Sequence, residues 1–355
     1  MKKIHLQVKP LFFLCLMICL ALPGTTMSFN TITTIDSTGN TVTITRPPQK
    51  IACLYAFCGH VVTMLGRGND MVAIVNGLKK DLLLQKIVPG IKQMAVPANG
   101  GIINIEALLN TKADFVFLKP ETAANTAEIK KLERFNIPYF VAGYHSMAEQ
   151  MTIIEMMGKA IGCHEKALEY TRHYKKIIAM VSARTSHLLP NKKVRLYHSV
   201  NEARRTDAPG TIEADWTRAC GVNNVSVGAS LNGKNNKKFA DIEQILMWNP
   251  EVIIVNEEGV DQLIMNDKKW SPIQAVQDKK VFAIPVGISR WGHPGGLETP
   301  LAILWTAKKV YPDLFQDIDL KKEITLFYKT FFNLDLDKTM VNKILGNKGM
   351  RHPTS

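Results

Sequence analysis

The sequence predicts an α/β protein built as two Rossmann-like lobes with parallel sheets, joined by one long rigid α-helix. Three observations carry this. Short β-branched runs alternate with helical stretches, a segment of the first half reappears in the second, and the stretch between the halves has the apolar spacing of one helix face. A chain of 355 residues has room for two cores, and 46% hydrophobic with 21% charged residues is a globular composition.

The elements follow in chain order. Lys2, Lys3 and Lys9 precede an apolar run from Leu11 to Leu22, and Pro23, Gly24 and small polar residues to Ser28 come after it. Twelve apolar residues with these flanks read as a secretory signal peptide over residues 1–28, cleaved between Thr25 and Phe29, and not as a membrane span. Cys15 and Cys19 lie inside the apolar run, and neither follows the small-residue triplet of a lipoprotein cleavage site. The expectation is therefore a soluble, exported, periplasmic protein.

The first lobe is assigned to residues 29–162, with continuous apolar strands at Ile51–Leu54, Met71–Val75, Phe115–Leu118 and Tyr139–Val141. From His164 to about His187, residues Ala167, Tyr170, Tyr174, Ile177, Ile178 and Val181 recur at the spacing of one helix face, with Gly162 before and Pro190 after. A helix of roughly 24 residues runs ~36 Å. The connector over residues 163–190 is thus a strut that permits only modest closure, since it lacks the Gly, Ser and Pro of a flexible linker. The second lobe, residues 191–345, offers strands at Val194–Tyr197, Val252–Val255 and Val281–Ile284, with a weaker one near Val225. Residues 346–355 are read as a tail.

The two halves share a pattern. IEALLNTKADFVFL (residues 105–118) and IEQILMWNPEVIIV (residues 242–255) align without gaps, with Asp114 on Glu251 and one closing apolar strand on the other. Each reads as a short helix, a turn and a buried strand, so the lobes share a topology and face each other.

Composition and failed motifs narrow the function. The 44 Lys+Arg against 31 Asp+Glu give a formal charge of +13, and removal of the three leader lysines brings it to +10. Lys and Arg are scattered, without aromatic interleaving or a nucleic-acid-binding module, so nucleic acid is not an expected partner. Loss of the leader also leaves Cys53, Cys58, Cys163 and Cys220, too few for a disulfide scaffold, and no Cys-x-x-Cys pair exists. A Cys53–Cys58 bridge stays open. GASLNGKN from Gly228 has the glycine and lysine spacing of a phosphate loop, but Asn235 stands where magnesium needs Ser or Thr. His164-Glu165 begins like a zinc-protease helix, yet Leu168 occupies the second His position, and no Gly-x-Ser-x-Gly elbow appears.

Two lobes, a stiff connector, a leader and no catalytic motif describe an extracytoplasmic solute receptor with a ligand cleft between the lobes. RPPQKIACLYAFCGHVVTMLGRGNDMVAIV (residues 46–75) resembles the opening of the class III substrate-binding proteins of ABC importers. INIEALLNTKADFVFL resembles that family's Asn-x-Glu helix and following strand, with Ala113 in place of the usual Pro. FADIEQILMWNPEVIIV and SPIQAVQDKKVFAIP are similar to its second-lobe signatures, and LAILWTAKKVYPDLF to its closing helix; together the similarity spans about residues 42–315. The resemblance implies a non-enzymatic, monomeric receptor for a metal chelate, with no resident cofactor, in which the ligand itself carries a metal, iron foremost. It also implies two carboxylates, Glu106 and Glu243, that dock on arginines of the importer's membrane subunits. As plain first-turn acids these two would only complement the helix dipole.

Ligands of such folds sit outside the carboxyl ends of the strands. The candidates there are Tyr55, Phe57, Cys58 and His60 after the first strand, and Tyr144 and His145 after the strand ending near Val141. In the second lobe they are Tyr197, His198, Arg204, Arg205 and Trp216, then Arg290, Trp291 and His293 in a glycine-rich turn. Aromatic faces suit a large planar or partly apolar ligand, and Arg suits carboxylate, catecholate or phosphate groups. The expected ligand is a ferric siderophore, with haem or a corrinoid as the alternative. An exported enzyme or metal-transfer protein on the same scaffold would rest on Cys58 with His60. Whether any side chain ligates the metal is left open.

Overall fold

In the computed structural model, residues 31–233 and 237–351 are described. The signal peptide with Cys15 and Cys19, Lys234–Asn236 of the phosphate-loop-like segment, and residues 352–355 lie outside the described residues.

Largely buried strands define the first lobe. Its sheet runs in the order Met71–Ile74, Ile51–Cys53, Phe115–Leu118, Tyr139–Val141, all parallel. The second lobe repeats this: Asn223–Asn224, Arg195–Ser199, Val252–Val255, Val281–Ala283, again all parallel. In each lobe the strand first in sequence therefore lies between the second and the third. The repeated carboxylates perform one task twice. Asp114 accepts from the amides of Gln49 and Lys50, and Glu251 from the amide of Arg195 at 2.9 Å, so each pins the entry of its lobe's first strand to that of the third. The weak strand expected near Val225 is Asn223–Asn224.

Other strands were not foreseen. An antiparallel hairpin, Ile32–Ile35 with Thr41–Ile44, leads into the first lobe, its turn held by the Asp36 carboxylate on the amides of Thr38 and Asn40. In the second lobe, Arg205–Thr206 and Lys238–Phe239 extend the sheet antiparallel beyond Ser199.

The connecting helix is His164–Thr185. Its buried face comprises Ala167, Tyr170, Thr171, Tyr174, Ile177 and Val181, while Ile178 is half-buried at its edge. Gly162, at φ +73°, turns the chain from helix Met147–Ala160 into the strut, and Gly158 lets the strut's Ala167 approach closely. Tyr170 stacks edge-on against Phe327 and Phe331 of helix Leu320–Phe332 and donates its hydroxyl to Leu297 O at 2.6 Å. One apolar cluster, from Ile51 in the first sheet to Trp291 in the second lobe, runs along this helix and holds both lobes to it.

The chain end is not loose as far as Arg351. Val286 of the second lobe donates to Ile344 O, and Leu82 of the first lobe donates to Met350 O at 3.2 Å. Met350 is only 2% exposed.

Candidate functional site

The carboxyl ends of the two sheets face each other, and the loops leaving them meet. The turn Arg290–Gly296 of the second lobe is held directly by the first. Gly295 N donates to the Tyr144 hydroxyl at 3.0 Å, and Gly295 O accepts from His60 Nδ1 at 2.7 Å. The other ring nitrogen of His60 lies 3.2 Å from Asp81 Oδ2. Both nitrogens face acceptors, so the ring carries both protons. Burial alone lowers its pKa, but the bond and charge of Asp81, with Glu298 and Gly295, outweigh burial and raise it. Gln150 Nε2 donates to Gly296 O, adding another bond from the first lobe to the same turn.

The same turn presents cations to the cleft. Arg290 Nη1 donates to Asn201 Oδ1 at 2.7 Å and to Glu257, and Nη2 lies 3.0 Å from His293 Nε2. An arginine can only donate, so His293 Nε2 accepts and the ring is neutral. Burial, then the charges of Arg290, Arg351 and Arg205, push the His293 pKa well below its ordinary value. Arg290 keeps its charge with its side chain only 15% exposed, and its Nε has no partner among the described residues. A buried guanidinium bonded to a neutral imidazole, with one buried donor unused, forms a place prepared for negative charge.

Behind this rim lies a buried polar support. His198 donates through Nδ1 to the Asp207 carboxylate at 3.0 Å, and Asn224 donates to the same carboxylate at 2.7 Å. The His198 ring packs edge-on against Trp216 at 5.2 Å, and Trp216 Nε1 donates to Gly292 O at 2.9 Å. Gly292 sits at φ +70°, where a Cβ would come within 2.6 Å of the Trp216 ring, so only glycine fits. Trp216 and His198 thus fix the Arg290–Gly296 turn from beneath.

Glu213 is buried beside this cluster. Burial, then the Asp207 charge, pushes its pKa up to about 7, against the pull of His198 and Arg205. A raised folded-state pKa gives stability that is complete below the unfolded value and lost as pH rises through about 7. Glu213→Gln is therefore expected to match the wild type near pH 4. Above pH 7 its advantage in unfolding free energy should reach the order of 1–3 kcal/mol. Thermal unfolding across that range checks this; a difference independent of pH refutes it.

The remaining sequence-predicted residues separate clearly. Tyr55, His60, Tyr144, Arg290 and His293 come together where the lobes meet, while Arg205 is half-buried on the added strand Arg205–Thr206, 3.8 Å from Glu202. Phe57, Cys58, Tyr197, Trp216 and Trp291 are buried side chains of the cores, and His198 is fully enclosed. Tyr197 packs on Trp248 and Trp270, away from the cleft. His145 is exposed at a side groove with Asp215 and Arg218, and Arg204 is exposed just before the strand Arg205–Thr206. Burial raises the Cys58 thiol well above its ordinary pKa, and His60 is committed to Asp81 and Gly295, so the pair holds no activated nucleophile. The four described cysteines are free thiols. Among the described residues no group of three or more His, Cys, Asp or Glu side chains is placed to hold a metal ion.

Sequence reasoning missed Asp81, Asn201, Glu257, Lys119 and Arg351. Asn201, Glu257 and Lys119 follow predicted strands and were within reach of the strand-end rule. Nothing local marked Asp81 or Arg351. Lys119 lines a second feature, a first-lobe cavity of about 700 Å³ with Tyr55, Asn76 and Asn99 among its walls.

Glu106 and Glu243 occupy the corresponding first turns of helices Ile105–Asn110 and Ile242–Trp248, and both are exposed. Their helices are capped by other residues. Asn104 accepts from Ala107 N at 3.0 Å, and Asp241 forms a reciprocal capping box with Gln244. Neither glutamate makes an ion pair or side-chain hydrogen bond among the described residues.

With this geometry in place, comparison with known proteins identifies the family. The family described as periplasmic binding protein matches residues 51–286. The chain belongs to the periplasmic binding protein family. Its two lobes on one connecting helix are the class III form of that family. The molybdate-binding protein MolA of Haemophilus influenzae is 26% identical to this periplasmic binding protein over 351 residues, covering 92% of this chain and 97% of MolA. The structure of MolA bound to molybdate matches at a TM-score of 0.75 and 24% identity, over 86% of this chain and 99% of that one. YvrC of Bacillus subtilis, an uncharacterized ABC transporter substrate-binding lipoprotein, is 23% identical over 290 residues, covering 81% of this chain and 87% of YvrC. The nickel–histidine complex of Helicobacter pylori CeuE shares the fold at a TM-score of 0.71 and 20% identity, covering 89% and 99% of the two chains. No helix among the described residues is long and apolar enough to cross a membrane.

Proposed function

We propose that this periplasmic binding protein is the exported receptor of an ABC importer and that its ligand is a compact anion built on a metal centre, a tetrahedral metal oxyanion such as molybdate. The observation that carries this is the Arg290–His293 pair, with Arg290 Nε unused and the contacts Arg351–Asp81–His60–Gly295 leading into the same turn. Arginine forks match oxyanions in shape and charge, and a site that excludes water strengthens each such bond. The name of the relative MolA supports the same class. Of the aromatic side chains offered as walls for haem or a corrinoid, Phe57, Tyr197, Trp216 and Trp291 are enclosed in the two cores and Tyr55 and Tyr144 alone reach the cleft, which favours a small ligand over a planar one.

A ferric siderophore is the second reading, favoured by the 700 Å³ cavity around Tyr55, Asn76, Asn99 and Lys119, far larger than an oxyanion fills. In both cases the protein holds its ligand by charge and hydrogen bonds and performs no chemistry on it. The ligand brings the metal, and delivery follows docking through Glu106 and Glu243.

Calorimetric titration of the mature protein with molybdate, tungstate, sulfate, a ferric catecholate and haem decides between them. The proposal expects molybdate and tungstate to bind at micromolar concentration or tighter, and haem not at all. Tight binding of the ferric catecholate alone installs the second reading; binding of none of them removes both.

A further inference from the structure

The C-terminal segment crosses between the lobes a second time, independently of the strut. Helix Lys338–Leu345 stays bonded to the second lobe through Ile344 O and Val286 N, and five residues later the chain lies against the first lobe through Met350 O and Leu82 N. At that point Arg351 pairs antiparallel with Asp81, and its Nε stands 2.8 Å from Asp81 Oδ1. Asp81 Oδ2 is already engaged by His60, whose other nitrogen holds Gly295 of the cleft turn. We infer that Arg351 is a ligand-binding residue, delivered to the cleft by the C-terminal strap to supply a guanidinium beside Arg290 and His293.

The local charges support the inference, which rests on the anionic-ligand reading above. Asp81 is shared between the His60 ring and the Arg351 guanidinium, so it does not neutralise Arg351 alone. The Arg351 side chain is 32% exposed, against 3% for Asp81; the two charges touch, but neither Arg351 Nε nor Asp81 Oδ1 completes a hydrogen bond among the described residues, so the guanidinium keeps unused donors. The contacts Arg351–Asp81, Asp81–His60 and His60–Gly295 join it to the turn that carries Arg290 and His293. Asp81 thus positions Arg351 and is not a competitor for the ligand. A sequence scan misses this residue because it lies far beyond the last strand.

The test uses two tetrahedral oxyanions of the same shape, molybdate with two negative charges and perrhenate with one. Arg351→Gln, Arg351→Lys and Arg290→Gln are titrated with both, and the unfolding midpoint of each variant is recorded. The expected result is a loss of at least tenfold in molybdate affinity for R351Q, a clearly smaller loss for perrhenate, and partial recovery in R351K at a wild-type midpoint. Equal losses for both anions in R351Q mean that the strap is only structural, and this overturns the inference. Unchanged affinity in R351Q beside a large loss in R290Q also overturns it, while leaving the anionic reading intact. Failure of the wild type to bind either anion removes the anionic reading and the Arg351 role together.

Discussion

Replacing Glu106 and Glu243 together with alanine is expected to abolish uptake while leaving ligand affinity unchanged. Each carboxylate sits in the first turn of a helix that another residue already caps, and neither has a side-chain partner among the described residues. They are equivalent by the internal repeat and by the strand order of the two lobes, so in the proposed docking they would present matching charges to a two-fold related pair of membrane subunits. A hydrogen bond to a charged group contributes about 1.5–3 kcal/mol. Losing two should weaken docking by a hundredfold or more, because each 1.4 kcal/mol is about a factor of ten. Each single variant should retain part of the uptake. Transport assays beside titration of the purified variants check this; a large fall in affinity, or undiminished uptake in the double variant, contradicts the docking role. Folding should be spared, since both side chains are exposed and alanine is a better helix former than glutamate.

The second large effect is at Arg290. Arg290→Gln removes the charge at the centre of the cluster while Asn201, Glu257 and His293 remain. Truncating one partner of a buried, hydrogen-bonded charge pair costs about 2–5 kcal/mol, so anion affinity should fall at least thirtyfold. His293 supplies an independent readout. The Arg290 charge helps to keep its imidazole neutral, and without it the His293 pKa should move upward. Nuclear magnetic resonance titration of the ring reports the shift. Unaltered affinity and an unmoved His293 would remove Arg290 from the site.

The architecture was largely legible in the sequence, for physical reasons. Strands buried on both faces are continuous apolar runs, so Phe115–Leu118, Tyr139–Val141 and Val252–Val255 stand where the sequence places them. The strut was visible because one side of a long helix must be apolar when the other meets water. The hairpin at Ile32–Ile44 was overlooked although Asp36–Asn40 has the turn chemistry for it. The two-residue strands Arg205–Thr206 and Lys238–Phe239 are too short to impose any period.

The cleft was only partly legible. The strand-end rule located Tyr55, Tyr144, Arg290 and His293, but it cannot say which way a side chain turns. Phe57, Tyr197, Trp216 and Trp291 turn into the cores because they are large and apolar, and burying each contributes about 2–3 kcal/mol. Asp81 and Arg351 escaped notice because only the folded chain brings them together, 270 positions apart in sequence.

The central claim is that the ligand is an anion held at Arg290, and a crystal structure of the mature protein grown with molybdate tests it most directly. The anion is expected within hydrogen-bonding distance of the Arg290 guanidinium, between the turn Arg290–Gly296 and the loops of the first lobe. An anion seated instead in the cavity of Tyr55 and Lys119, with Arg290 still satisfied by Glu257 and His293 alone, would contradict it.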